Sequence, residues 1–237
     1  MTWDHNDHFH PWVLRHLGAA QGPVLDVGCG VGALIAAMRA RGLAPVVGID
    51  PDELMAHTAQ HRFAGDNGVT IHRASFFDLS RGAGPVPREG VGGITMVSSL
   101  HHLAHQRGLE ASLGQARALL APGGRLVVVG MARPSVPADY AVDAVSVLLD
   151  PVVGALKAAR GRFAPAATVR PVPAPHGGDD TRPTPAVDTE RSGTGMPVRD
   201  PDETFTEVVR TAASVLPGAR MRRRLWFRYS LEWTAPA

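Results

Sequence analysis

The sequence predicts an α/β protein: a doubly wound, mostly parallel seven-stranded sheet with an antiparallel C-terminal strand and helices on both faces. Three observations predict it. Over residues 23–132 short apolar runs alternate with helical stretches, the rhythm of parallel strands joined by crossover helices. The first of those runs breaks into three spaced glycines before a helix, as sheets of this kind do where they hold a ligand. Finally, "RMRRRLWFRYSLEWTA" reads as two strands joined by a tight corner near residues 225–227, which would complete one edge of the sheet.

The elements follow in order. Trp3, Phe9, Trp12, Val13 and Leu17 recur at roughly helical spacing, so residues 1–22 are expected to form a helical cap or lid ahead of the first strand. The main domain then runs over 23–237. Its strands are "PVLDVG", "APVVGID", "VTIHRAS", "VGGITMVSS" and "RLVVVGMA", with helices at 31–41, 52–62 and 107–120. Gly42 follows the second helix where a left-handed residue ends it, and "APGG" turns the chain into the fifth strand. Residues 141–163 read as helical. Residues 165–201 hold eight prolines with "GGDD" and "SGTG" and no apolar periodicity, the composition of a flexible insertion. Helical signal returns in "DETFTEVVRTAASVL", where Phe205, Val208, Val209, Ala212 and Leu216 are expected to share a face.

Composition narrows the function classes. With 237 residues, 44% hydrophobic and 19% charged, the chain suits one α/β domain with an ordinary core. No apolar run reaches the roughly 20 residues of a membrane span, and the best, 141–156, contains Asp143 and Asp150. "MTWDHNDHFHPW" lacks the basic-then-apolar pattern of a secretory signal, so a cytoplasmic location is expected. Cys29 is the one cysteine, which rules out an intrachain disulfide and a cysteine-based zinc cluster. His5, His8 and His10 with Asp4 and Asp7 match no closed zinc spacing, and no metal is expected. Arg220, Arg222, Arg223, Arg224 and Arg228 read as the solvated face of a strand, with a phosphate-binding stripe as the alternative.

The glycine run "VLDVGCGVGALIAAM" carries the chemistry. Gly28, Gly30 and Gly32 let the backbone approach a ligand closely at a helix start. A triphosphate loop needs GxxxxGK[ST], and there is no lysine here. A dinucleotide loop is not excluded by the glycines alone, since Ala33 stands where some such loops accept alanine. Two acids separate the readings. Asp26 lies two residues before the first glycine, where a cationic amino-acid group gains and a pyrophosphate does not. Asp50 ends the next strand, where a ribose would meet it.

At this point the sequence resembles the class I S-adenosylmethionine-dependent methyltransferases. The resemblance rests on "LDVGCGVG", "GIDPDELM", "RASFFDL", "ITMVSSLHHL" and "LLAPGGRLVVVG" in that order, with "RYSLEW" similar to the family's last strand. It implies S-adenosylmethionine as cofactor, S-adenosylhomocysteine as product and the following roles. Gly28 and Gly30 line the methionine part, and Asp26 lies near its amino group. Asp50 accepts the ribose hydroxyls, and Pro51 touches the adenine. Ser75, where the family often has an acid, bonds the adenine amino group beside Phe76. Ser98 approaches the methionine end through its backbone.

Methyl transfer is an in-line displacement in which alignment supplies much of the acceleration. His101 and His102 follow the fourth strand at the edge where ligands bind, and either is a candidate general base. The expected activity is therefore methyl transfer to a small-molecule acceptor, at O or N rather than C, by a monomer or homodimer. The alternatives are a non-catalytic S-adenosylmethionine-binding protein and an NAD-dependent oxidoreductase. Against a nucleic-acid methyltransferase stands the lack of an N/D-P-P-Y/F motif and of an extended basic-aromatic surface.

Overall fold

A computed structural model describes residues 5–18, 20–137 and 199–237. The expected helix at 141–163 and all but the last three residues of the proline-rich stretch 165–201 lie outside them.

One seven-stranded sheet organises the chain, in the order β3-β2-β1-β4-β5-β7-β6. Its strands are β1 (Val24–Val27), β2 (Val46–Asp50), β3 (Val69–Arg73), β4 (Val91–Val97), β5 (Leu120–Met131), β6 (Arg220–Arg223) and β7 (Arg228–Thr234). Pairings from β3 across to β5 are parallel, and β7 is antiparallel to both its neighbours. The expected single antiparallel strand is thus present, inserted between β5 and β6. The chain reverses from β1 toward β4 on one side and β2 on the other, so a crevice opens at the carboxyl ends of β1 and β4.

Alternation along each strand divides the core between the two faces. Leu25, Val27, Ile94, Met96, Leu126, Val128, Leu231 and Trp233 point one way; Val24, Val46, Val127 and Val129 point the other. The first set packs against α4 (Leu100–Arg107), α5 (Leu109–Leu119) and α6 (Phe205–Val215) through Leu100, Leu113, Ala116, Val208 and Ala212. The second packs against α1 (His5–Leu17), α2 (Ala33–Arg39) and α3 (Glu53–Arg62) through Val13, Leu17, Ile35, Met38 and Ala59. Strands covered on both faces read as the nearly continuous apolar runs seen in the sequence.

Two expectations are corrected. The helix expected at 107–120 is α5, at 109–119, but a further helix not expected from the sequence, α4, precedes it, and Gly108, at φ 83° and ψ 155°, separates the two. Val209 does not share the buried face of α6, being 37% exposed while Val208 and Ala212 are 1% exposed. α6 begins with a full capping box, Thr204 and Glu207 bonding each other's backbone.

Candidate active site

The carboxyl ends of β1, β2 and β4 bring most of the expected residues together. After β1 the backbone N–H groups of Gly28 and Cys29 both donate to the Ile49 carbonyl, at 2.9 and 3.0 Å. This pins the glycine loop to the end of β2. Gly28, Gly30 and Gly32 all have positive φ, at 70°, 53° and 77°, conformations costly for any side chain with a Cβ. At Gly28 a Cβ would come within 2.7 Å of the Ser99 Cβ, and Ser99 in turn donates to the Val27 carbonyl at 2.7 Å. The first glycine therefore seats the loop on the start of α4. Gly28→Ala is expected to cost about 2 kcal/mol or more through strain and overpacking combined, read as a lower melting temperature of the unliganded protein.

Asp26 is 3% exposed and accepts a hydrogen bond from Thr95 Oγ1 at 2.7 Å. Burial pushes its carboxyl up to about 7, against the opposing Thr95 bond and with help from the charge of Asp50. A buried acid of this kind suits a cation brought by a ligand. Asp50, 8% exposed, uses both oxygens: Oδ2 accepts from Gly30 N at 2.8 Å and Oδ1 from Asp52 N at 2.9 Å. Burial raises its pKa while those two N–H bonds lower it. The carboxylate thus clamps the glycine loop to the start of α3, and its remaining lone pairs can take hydroxyl donors. Asp52 itself caps α3 through Met55 N at 3.1 Å.

Pro51 is exposed beside this clamp, next to Leu54, which is 48% exposed. Ser75 caps the short 3-10 turn Phe76–Asp78, its Oγ accepting from Phe77 N at 3.3 Å. The Phe76 side chain, 2% exposed, belongs to the core beneath the site, whereas the Phe77 side chain is half-buried. Phe76 supports the site from below.

Ser98 adopts φ 57° and donates its N–H to the Val129 carbonyl at 2.8 Å. Its hydroxyl donates to Asn6 Oδ1 at 2.7 Å and accepts from Arg228 Nη1. One hydroxyl therefore joins β4 to α1 and β7. His101, in the first turn of α4, is 4% exposed; among the described residues neither ring nitrogen makes a hydrogen bond of good geometry, although the Arg199 backbone acts on the ring as an acceptor would. Burial, then the charges of His102 and Arg228, lowers its pKa to about 3, so the ring is neutral near pH 7 and a weak proton acceptor. His102 stacks obliquely on it, ring centroids 4.2 Å apart, and is shifted downward by burial and by Arg199.

The sequence reading missed four contributors. Thr95 lies within "ITMVSSLHHL" but was given no role there, and Asn6 belongs to no motif. Trp226 sits in the hairpin corner with its ring edge-on to His8 at 4.8 Å. Arg228 was grouped with a solvated arginine face; Arg220, Arg222 and Arg223 are exposed, but Arg224 and Arg228 are half-buried. Arg224 bonds Ser230 Oγ at 2.9 Å and lies 5.1 Å over the Trp12 ring. Among the described residues no group of three or more His, Cys, Asp or Glu could hold a metal ion, and no helix is long and apolar enough to cross a membrane.

Residues 24–124 match the model of a family described as a methyltransferase domain. Over those residues the chain is similar to methyltransferases. An uncharacterized methyltransferase of Mycobacterium tuberculosis is 32% identical over 133 residues, covering 56% of this chain and 62% of that protein. A ubiquinone biosynthesis O-methyltransferase of Aromatoleum aromaticum is 30% identical over 135 residues, covering 52% of this chain and 54% of its own length. The chain thus spans little more than half the length of these relatives, 62% and 54%. In fold, a Pyrococcus horikoshii protein aligns at a TM-score of 0.59 with 16% identity, over 97% of this chain and 88% of its own. A SAM dependent methyltransferase from Aquifex aeolicus aligns at 0.54, also with 16% identity, over 95% and 88%. The family match spans the glycine loop and the ends of β1, β2 and β4.

Proposed function

We propose that the chain transfers the methyl group of S-adenosylmethionine to a small-molecule acceptor, at oxygen or nitrogen. The observation that carries this reading is the pair of buried acids at the loop. Asp26 offers a desolvated carboxylate to an amino group, and Asp50 offers one to ribose hydroxyls. Gly28 and Gly30 would line the methionine part between them, Pro51 and Ser75 the adenine, and the Ser98 backbone the methionine end. When bound, the cofactor supplies a methyl group on a positively charged sulfur, open to in-line attack. The residues' own work is alignment: the Asp50 clamp fixes the loop, and Ser98 fixes the end of β4 against two other elements. His101 and His102 stand at the edge where the acceptor arrives. Given how strongly burial disfavours the charged His101 ring, hydrogen bonding fits it better than proton storage.

The N-terminal helix serves as a lid in this reading. Asn6 reaches Ser98, while His8 and Phe9 meet the corner residue Trp226, ring centroids 4.8 and 6.2 Å apart. Deleting residues 1–12 is expected to weaken S-adenosylhomocysteine binding about tenfold, the worth of one or two hydrogen bonds and their packing. An unaltered dissociation constant would remove the lid. The activity itself is tested by incubating the protein with methyl-labelled S-adenosylmethionine and a bacterial small-molecule extract. Protein-dependent label in extractable organic products is expected; label only in macromolecules would contradict a small-molecule acceptor.

A further inference from the structure

Among the described residues three other than glycine have a left-handed backbone: Ser98, Trp226 and Phe227, at φ 57°, 58° and 55°. They are not scattered. Arg228, next to Phe227, bonds the Ser98 hydroxyl, so all three meet where the β6–β7 corner reaches the carboxyl end of β4. Bulky side chains hold this conformation only where their surroundings enforce it, and such positions cluster at functional sites. Around the same point stand the Phe9 and Trp226 rings, edge to face at 6.2 Å, and the Arg228 guanidinium, 5.9 Å from the Phe9 ring centre. His101 adds a second, independent sign. It is a buried polar side chain which, among the described residues, makes no hydrogen bond of good geometry, although the Arg199 backbone acts on it as an acceptor would. The described charged groups that act on it are Arg228, Arg199 and His102, all basic.

We infer that Ser98, His101 and Arg228, walled by Phe9 and Trp226, form the acceptor seat, and that it takes a flat ring bearing an acidic hydroxyl, a phenol or enol, rather than an amine. This rests on the methyl-transfer reading above. Aromatic walls favour a planar ring. Basic groups in a desolvated setting favour an oxygen that gives up its proton, and neutral His101 has an N–H to donate to that anion. The balance is consistent. The hydroxyl proton goes to water as the acceptor binds, the oxygen's electron pair forms the new O–CH3 bond, and the sulfur keeps the pair of the broken C–S bond. One anionic and one cationic charge disappear together. Methylating a neutral amine would instead leave a new cation beside Arg228.

The test uses the full chain loaded with S-adenosylhomocysteine and two matched probes, 4-nitrophenol and 4-nitroaniline. At mildly acidic pH, binding should raise the phenolate absorption of 4-nitrophenol, and its affinity should exceed that of 4-nitroaniline at least tenfold. Arg228→Lys, which keeps charge but loses the planar fork, and Trp226→Phe should each weaken 4-nitrophenol severalfold more than they weaken S-adenosylhomocysteine. Equal affinity for the two probes, preference for the amine, no rise in phenolate absorption, or binding of neither probe while S-adenosylhomocysteine binds normally would overturn the seat. Failure to bind S-adenosylhomocysteine would overturn the methyl-transfer reading, and the seat with it.

Discussion

Asp26→Asn is expected to weaken S-adenosylhomocysteine binding about a hundredfold, the loss of a charge-assisted hydrogen bond in a desolvated site, while stabilising the unliganded protein above neutral pH. Both effects share one cause. The carboxyl is buried with Thr95 as its side-chain hydrogen-bond partner and is pushed up to about 7 from its ordinary 3.8. Because the folded state holds this proton more tightly than the unfolded chain, the group's contribution to stability is complete below pH 4 and declines as the pH rises toward 7. Its ionisation costs at most about 4 kcal/mol. Asparagine keeps an oxygen for the Thr95 hydroxyl and has no proton to lose. The variant should therefore melt higher than the parent at pH 8, the gap closing toward pH 4.

Binding runs the other way. The ionised carboxylate is the form that pairs with an amino group, so affinity should be flat just above pH 7 and fall, toward tenfold per pH unit, below it. Calorimetry in buffers of different ionisation heat would show a proton released on binding below pH 7. In Asp26→Asn both the pH dependence and the released proton should be absent. An Asp26→Asn protein that binds as tightly as the parent would remove this residue from the cofactor site.

The second large effect belongs to Asp50. Asp50→Ala leaves the buried Gly30 N–H without its acceptor and frees the start of α3 from the glycine loop. It should lower stability by about 1–3 kcal/mol and, with the ribose acceptor gone as well, weaken S-adenosylhomocysteine at least as much as Asp26→Asn. Asp50→Asn should fall between, since one oxygen can still accept while the amide meets an N–H donor. The two acids are thus distinguishable. Loss of Asp26 leaves the loop in place and removes a charge; loss of Asp50 dismantles the loop.

Much of this site was legible from residue order alone. The strand rhythm, the loop glycines and the positions of Asp26 and Asp50 are local patterns, and the parallel sheet that collects them at one edge follows from short crossovers. What stayed hidden depends on contacts across the chain. Nothing near Arg228 in sequence separates it from the exposed arginines of β6; only its pairing with β5, residue 131 opposite residue 228, brings it to Ser98. Thr95 is one more strand residue until β4 is set beside β1 and puts it opposite Asp26. Gly28 suggested close approach to a ligand, yet the nearest group to its missing Cβ is Ser99. Phe76 sits inside a ligand motif and still goes to the core, because a 3-10 turn, not a strand, follows β3 and points its ring inward. Helix α4 was missed because "LHHLAHQR" holds only two large apolar residues, too few to show a helical stripe.

The most direct measurement is a calorimetric titration of the full chain with S-adenosylhomocysteine, repeated with NAD and with the Asp26→Asn and Asp50→Ala proteins. The account predicts saturable one-to-one binding of S-adenosylhomocysteine to the parent, sharply weakened in both variants, and no comparable binding of NAD. Absence of S-adenosylhomocysteine binding, binding of NAD in its place, or equal affinity in parent and variants would contradict it.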